Sequence, residues 1–462
     1  MLAVWPRWLL RRVLYAIGLS APVRLVHHPR PATLTSVSED GSKRTTTLLE
    51  VLEKCPSLLG KLTAWYTPTS WLVSGHLATI ACTVFKYTYD PVTYTRELIR
   101  VPDGGTLAVD FAPPIEKEDQ LDSRPILVVS HGLTGGSHES YVRNVLAIVT
   151  RPVEEGGLGW RAAVVNSRGC AGSQITSQKL YSGAVTDDLR CALAFISHFA
   201  PKAPLYGIGF SLGANQMAKL VGEEATDCPL NGAVVLGAPF DFVRGHVALC
   251  SSWIRMVYSK AMAKNLKTLL ARHADTFRSH PKLDFGAIFG NPNMSLFEFD
   301  SLVTAPLAGF GTAVEYYRAA SASNVIANAD VPLLSISALD DPIVDCDGIP
   351  FDAAKTNPNL IFATTRHGGH LGWHEGIFRP RRWVAKPVVE FLKALHEANP
   401  HPRAPRETVP KREIAKMPQI GDEMVVLKGR EEEIGFQRVK VEEHAAKGGE
   451  PIDVDEGLTR GL

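Results

Sequence analysis

The chain has 462 residues, 45% hydrophobic and 21% charged, enough apolar material for one large core. Its formal net charge of +1 leaves no general electrostatic pull toward nucleic acid or acidic surfaces. Seven scattered cysteines, never spaced as Cys-x-x-Cys, argue against a disulfide framework and a structural zinc site, and fit a reducing, intracellular compartment.

The first segment, residues 1–66, reads as an N-terminal extension. No acidic residue precedes Glu39, whereas Arg7, Arg11, Arg12, Arg24 and Arg30 do. The apolar run from Val13 to Val23 is short for a bilayer span. A mitochondrial-type presequence, a weak signal peptide, an interfacial anchor with Trp5 and Trp8 at the headgroup level, and an inert extension all fit it. A second short apolar stretch, Trp71 to Phe85, reads as core packing rather than as a membrane segment.

From Tyr94 the pattern changes. Tyr94–Val101 and Thr106–Phe111 flank Pro102-Asp103-Gly104-Gly105, which predicts an antiparallel hairpin. Apolar runs follow at Pro125–Ser130, Ala162–Asn166, Leu205–Gly209, Gly232–Leu236, Pro332–Ser337 and Asn359–Ala363. Helical periodicity fills several gaps, at Tyr141–Val149, Val185–Phe199 and Leu212–Glu224. Strands alternating with helices imply an α/β fold with a mostly parallel sheet covered on both faces. Ligands of such sheets bind at the carboxyl ends of the strands.

The alternation stops after Pro239. Residues 243–328 read as a helical lid inserted between two parts of the core, 67–242 and 329–398. Beyond Asn399 the chain turns rich in Pro and charge, including Glu431-Glu432-Glu433, and reads as a disordered or loosely docked tail.

Gly209-Phe210-Ser211-Leu212-Gly213 fits Gly-x-Ser-x-Gly between a predicted strand and a predicted helix, the setting of a nucleophilic serine. The serine must occupy a sharp, strained turn, and side chains at Gly209 and Gly213 would collide across it. A serine hydroxyl needs a base. The strand Leu333–Ser337 leads to Asp340-Asp341-Pro342, and Asn359–Ala363 leads to His367-Gly368-Gly369-His370, so acid and base carriers follow at the same sheet edge. Asp341 is the preferred carboxylate, with Asp340 capping its turn. His370 is preferred over His367 and His374, because two glycines free its loop. The His370-x-x-x-His374 spacing also suits a metal pair, but Gly368 and Gly369 argue against a helix there, and no third ligand is evident; no metal or cofactor is expected. Ser130-His131-Gly132-Leu133-Thr134-Gly135-Gly136 follows a strand and suits an oxyanion hole made by the N–H groups of Leu133 and Leu212, with His131 bracing the loop. It lacks the Lys and Ser/Thr of a phosphate-binding loop.

With Asn166-Ser167-Arg168-Gly169-Cys170-Ala171-Gly172-Ser173 and Gly369-His370-Leu371-Gly372, these motifs resemble the AB hydrolase superfamily, AB hydrolase 4 family. Gly75-His76-Leu77-Ala78-Thr79-Ile80 resembles its upstream signature, and Phe299-Asp300 with Tyr316-Tyr317 its lid; the resemblance spans residues 67–395. It implies an α/β-hydrolase fold with Ser211, Asp341 and His370 as the triad. It further implies a fatty acyl ester or lipid as the substrate, as in fungal medium-chain fatty-acid ethyl ester synthases/esterases, animal membrane phospholipases and bacterial esterases. An acyl-serine would pass to water or to ethanol. Contact with a membrane or lipid droplet accompanies that substrate class, and no nucleic acid partner is implied. The rival readings are a non-catalytic lipid binder and a hydrolase using His367, His370 and His374 on a metal.

Overall fold

A computed structural model describes residues 13–37, 42–61, 63–84, 90–115, 122–403, 407–410 and 424–439. Its main sheet contains, in chain order, β1 (Arg24–His27), β2 (Thr95–Arg100), β3 (Thr106–Ala112) and β4 (Ile126–Ser130). Then come β5 (Arg161–Asn166), β6 (Leu205–Phe210), β7 (Leu230–Leu236) and β8 (Leu333–Ala338), followed by β9 (Leu360–Thr365), β10 (Thr408–Pro410), β11 (Val425–Leu427) and β12 (Gly435–Val439). Across the sheet the order is β10-β11-β12-β2-β3-β5-β4-β6-β7-β8-β9-β1.

The six strands from β5 to β9 in that order run parallel. Every one of their residues is buried, which explains apolar runs without a polar alternation. Alternate residues feed opposite cores. Val128 and Val235 join a cluster under α3 (Asp187–Phe199) and α4 (Leu212–Glu224). Leu127, Val129 and Val234 join another with α2 (Ser140–Val149) and α8 (Ala385–Ala398). The predicted hairpin is β2–β3, closed by Gly104 at φ +81°.

Both chain ends add to this sheet. β1 pairs antiparallel with β9. The segment after Asn399, expected to be disordered or loosely docked, instead supplies β10, β11 and β12, and β12 pairs with β2. Phe436 packs edge-on against Phe195 at 5.4 Å. These strands are three to five residues long beside a run of charge, too short to raise a periodic signal. Residues 1–12, with Trp5 and Trp8, lie outside the described residues, as do 411–423 and 440–462.

The segment after Pro239 is helical, with α5 (Phe242–Cys250), α6 (Trp253–Arg272) and α7 (Ala313–Ala320) among shorter turns. Its apolar cluster, including Leu266, Leu270, Phe299 and Val303, closes over Leu212 at the start of α4. Upstream of the sheet, α1 (Gly75–Val84) packs into the core, as expected, on one face only. Its small residues Ala78, Thr79, Ala81 and Cys82 are buried, whereas Leu77, Ile80 and Val84 face outward. Among the described residues no helix is long and apolar enough to cross a membrane.

Candidate active site

β6 ends at Phe210 and α4 begins at Leu212, so Ser211 alone makes the turn, at φ 52° and ψ −118°. A positive φ costs a residue with a Cβ on the order of 1–3 kcal/mol, tolerated where packing fixes it. A Cβ on Gly209 would stand 2.4 Å from the Gly213 carbonyl oxygen, as the sequence predicts. One on Gly213 would stand 2.3 Å from the Ser130 carbonyl oxygen. Gly213 therefore clears the end of β4, a neighbour the motif does not reveal.

The structure brings Ser211, His370 and Asp341 together. His370 Nε2 lies 2.7 Å from Ser211 Oγ, and His370 Nδ1 lies 2.8 Å from Asp341 Oδ2. A carboxylate only accepts, so the ring proton belongs on Nδ1, leaving Nε2 to accept from the serine hydroxyl. Asp341 Oδ1 is fixed by the N–H groups of Ile343 and Val344, at 2.8 and 2.9 Å. Its neighbour Asp340 accepts the Gly369 N–H at 2.9 Å, tying the acid loop to the base loop.

The other histidines go elsewhere. His367 Nε2 meets the Gly18 carbonyl at 2.8 Å, and the Asp340 carboxylate, 3.6 Å from Nδ1, raises its pKa. His374 is fully buried, and burial, with Arg382 adding to it, pushes its pKa down to about 3. The rival metal set of His367, His370 and His374 is thus not assembled. Among the described residues no three His, Cys, Asp or Glu side chains cluster as a metal site. His131 braces its loop: Nδ1 meets the Gly132 carbonyl at 2.7 Å, and Nε2 accepts the Ser167 N–H at 3.0 Å. Burial lowers its pKa to about 4, which keeps it neutral for that role.

The loop after β4 leans on Ser211, since a Cβ on Gly132 would come within 3.4 Å of Ser211 Cβ. The Gly132 N–H donates to the Tyr141 hydroxyl at 3.1 Å, and the Thr134 N–H to the Tyr181 hydroxyl at 2.9 Å. Between them, the Leu133 N–H has no acceptor among the described residues, and neither has that of Leu212. Two fixed, unoccupied donors beside a serine suit a developing oxyanion.

Sequence reasoning missed three positioning groups: Tyr141, Tyr181 and Thr79. Thr79, on α1, accepts the backbone N–H of His370 at 2.8 Å. Its motif resembled a family signature, but spacing alone gave no sign that its hydroxyl faces the base loop.

Residues 125–376, more than half of the chain, match the family described as alpha/beta hydrolase fold. The chain belongs to that family. It is an α/β hydrolase of the esterase and lipase type. The embryogenesis-associated protein EMB8 of Picea glauca is 33% identical over 378 residues, 77% of this hydrolase and 78% of the relative. The monoacylglycerol lipase of Saccharomyces cerevisiae is 33% identical over 368 residues, 71% and 80% of the two chains. The medium-chain fatty acid ethyl ester synthase/esterase 2 of the same yeast is 32% identical over 291 residues, 59% and 63%.

In this hydrolase Ser211, Leu133 and Leu212 open onto a cavity of about 110 Å³. Phe242, Leu249, Leu266, Leu296, Ile343 and Val344 make it largely apolar. Among the described residues Asp300 is its one carboxyl, bonded by the Tyr317 hydroxyl at 2.8 Å, and burial raises its pKa to about 6. A larger cavity of about 250 Å³, lined by polar and apolar residues alike, surrounds Arg168. There Arg168 is bound by Asp188 and Asp103, so the Asn166–Ser173 motif holds loops in place.

Proposed function

We propose that this hydrolase cleaves carboxylic esters of fatty acids through an acyl-serine on Ser211. The observation that carries the reading is the 2.7 Å contact of His370 Nε2 with Ser211 Oγ, beside two unoccupied N–H donors at the mouth of an apolar cavity.

Ser211 Oγ attacks the acyl carbonyl carbon while its proton moves to His370 Nε2. Asp341 accepts from Nδ1–H and steadies the imidazolium. The carbonyl oxygen gains the negative charge and takes hydrogen bonds from Leu133 and Leu212 N–H. Collapse breaks the bond to the alcohol oxygen, which leaves with the proton from Nε2. Water, deprotonated by His370, then attacks the acyl-serine and releases the fatty acid. An alcohol such as ethanol taking the place of water would return an ester instead.

Two relatives, named for monoacylglycerol hydrolysis and for medium-chain fatty acid ethyl ester synthesis, support an acyl ester as the substrate class. A panel of acyl esters of graded chain length, assayed with and without ethanol, tests the reading. Hydrolysis of at least one fatty acyl ester is expected, and it should vanish in Ser211→Ala. A folded wild type that turns over none, and takes no fluorophosphonate label, would remove the proposal.

A further inference from the structure

α1 is built with its larger side chains outside. Its ten residues carry no charge. Leu77, Ile80 and Val84, at 50%, 45% and 64% exposure, line one face at helical spacing, while alanine, threonine and cysteine face inward. A surface helix in water has the opposite polarity.

Neighbouring elements extend that face. The rings of His76 and Tyr258 stack, with Nδ1 3.0 Å from the hydroxyl, which joins α1 to the first turns of α6. There Trp253 is 79% exposed, and Val257 faces out one turn later. Four residues before α1, Trp71, itself exposed, donates to the Ile377 carbonyl at 3.2 Å, and the next residue, Phe378, is 94% exposed. A connected set of this kind marks an interaction surface, whereas isolated exposed apolar residues need no explanation.

Charge selects the partner. Past Val257 the outward stripe of α6 continues with Lys260 and Lys264, and the twenty residues of α6 include five cations and no carboxylate. Glu298 lies near Lys260, and Lys264 is exposed on the same stripe. Tryptophan and aliphatic residues leading into lysines form the pattern of a helix lying in an anionic lipid interface.

We infer that α1, the start of α6 and the Ile377–Phe378 loop form a face that inserts into the headgroup region of an anionic phospholipid bilayer without crossing it. The inner sides of the same helices serve the site. Thr79 holds the His370 loop, and Met262 and Leu266 line the cavity. The inference extends the acyl-ester reading, and vesicle binding is measured without turnover, so the two fail separately.

Sedimentation of the full chain with phosphatidylcholine vesicles, with and without phosphatidylglycerol, is the test. Wild type should bind the mixed vesicles more tightly, and salt should weaken that binding. Leu77→Glu/Ile80→Glu and, separately, Trp253→Ala should weaken binding about tenfold or more, since each removes apolar surface that the headgroup region would bury. Unchanged thermal melting shows that each variant is folded, and Trp253→Ala keeps the test open if the double variant is not. Absence of wild-type binding overturns the inference. Folded variants that bind like wild type also overturn it, as does a face that reports only self-association in light scattering. Equal binding to both vesicles overturns the choice of an anionic surface.

Discussion

The Thr79 hydroxyl accepts the backbone N–H of His370 at 2.8 Å and donates to the Gly75 carbonyl at 2.7 Å. α1 thereby fixes the backbone that carries the base, although no atom of it takes part in proton transfer. Gly369 permits the contact: it sits at φ +59°, and a Cβ there would meet the Gly75 carbonyl oxygen at 2.4 Å.

Thr79→Val keeps the shape and removes the acceptor. A buried N–H left unpaired costs about 1–3 kcal/mol, which the loop escapes by shifting the imidazole. A displacement near 1 Å at a reacting group lowers rate by up to about 10²-fold. The expected outcome is a kcat at least about tenfold lower with KM nearly unchanged, and recovery in Thr79→Ser. Steady-state kinetics on one soluble ester decides it; a valine variant with wild-type kcat would show that the bond does not position His370.

Asp341 has two tasks, accepting from His370 Nδ1 and closing its own turn through Ile343 and Val344 N–H. Asp341→Asn retains an acceptor for the turn but offers the ring a donor, which favours the wrong tautomer. The expected loss in kcat is about 10⁴-fold, with thermal melting much less affected. Ser211→Ala should take no fluorophosphonate label at all, while Asp341→Asn should label slowly. Fast labelling of the asparagine variant would place the partner of His370 elsewhere.

The glycines of the motif make opposite demands to a glycine of the lid. On Gly213 a new Cβ would press on the Ser130 and His131 carbonyl oxygens at 2.3 and 2.4 Å, backbone that cannot swing aside. Gly213→Ala should therefore lower the melting temperature and abolish labelling together. Gly245, inside α5, has nothing within 4 Å of such an atom. Gly245→Ala should melt no lower than wild type, because alanine favours a helix by about 1 kcal/mol. Equal behaviour of the two in a melting assay would contradict the packing described at Ser211.

Where a single local requirement decided the structure, the sequence was readable. The parallel strands announced themselves because burial on both faces demands unbroken apolar runs, and Ser211 because its sharp turn needs glycine at 209, where a Cβ would meet the Gly213 carbonyl oxygen. The carriers Asp341 and His370 could be ranked by the loops that hold them. What stayed hidden depends on contacts between distant segments. Thr79 meets a residue 291 positions away, and Tyr181 meets Thr134 across 47. β10 to β12 are strands because β2 offers them an edge, and their own few residues carry no period. α1 was legible only in part for the same reason: a run of apolar residues does not say which of its faces is outside.

Asp300 provides the last prediction. Burial raises its pKa from 3.8 to about 6, because its surroundings disfavour charge even with the Tyr317 hydroxyl bonded to it. In the unfolded chain the group ionises near 3.8, so between pH 4 and 6 the native state holds a proton that the unfolded state has lost. Its contribution to stability is therefore full below pH 4 and falls as pH rises to about 6, by roughly 3 kcal/mol at 1.36 kcal/mol per unit. Asp300→Asn still accepts from Tyr317 but never ionises. Urea titrations of both proteins across this range should show the variant gaining on wild type between pH 4 and 6, with a constant difference above pH 7. A difference that does not depend on pH would mean that the carboxyl in the lid titrates alike in the folded and unfolded chain.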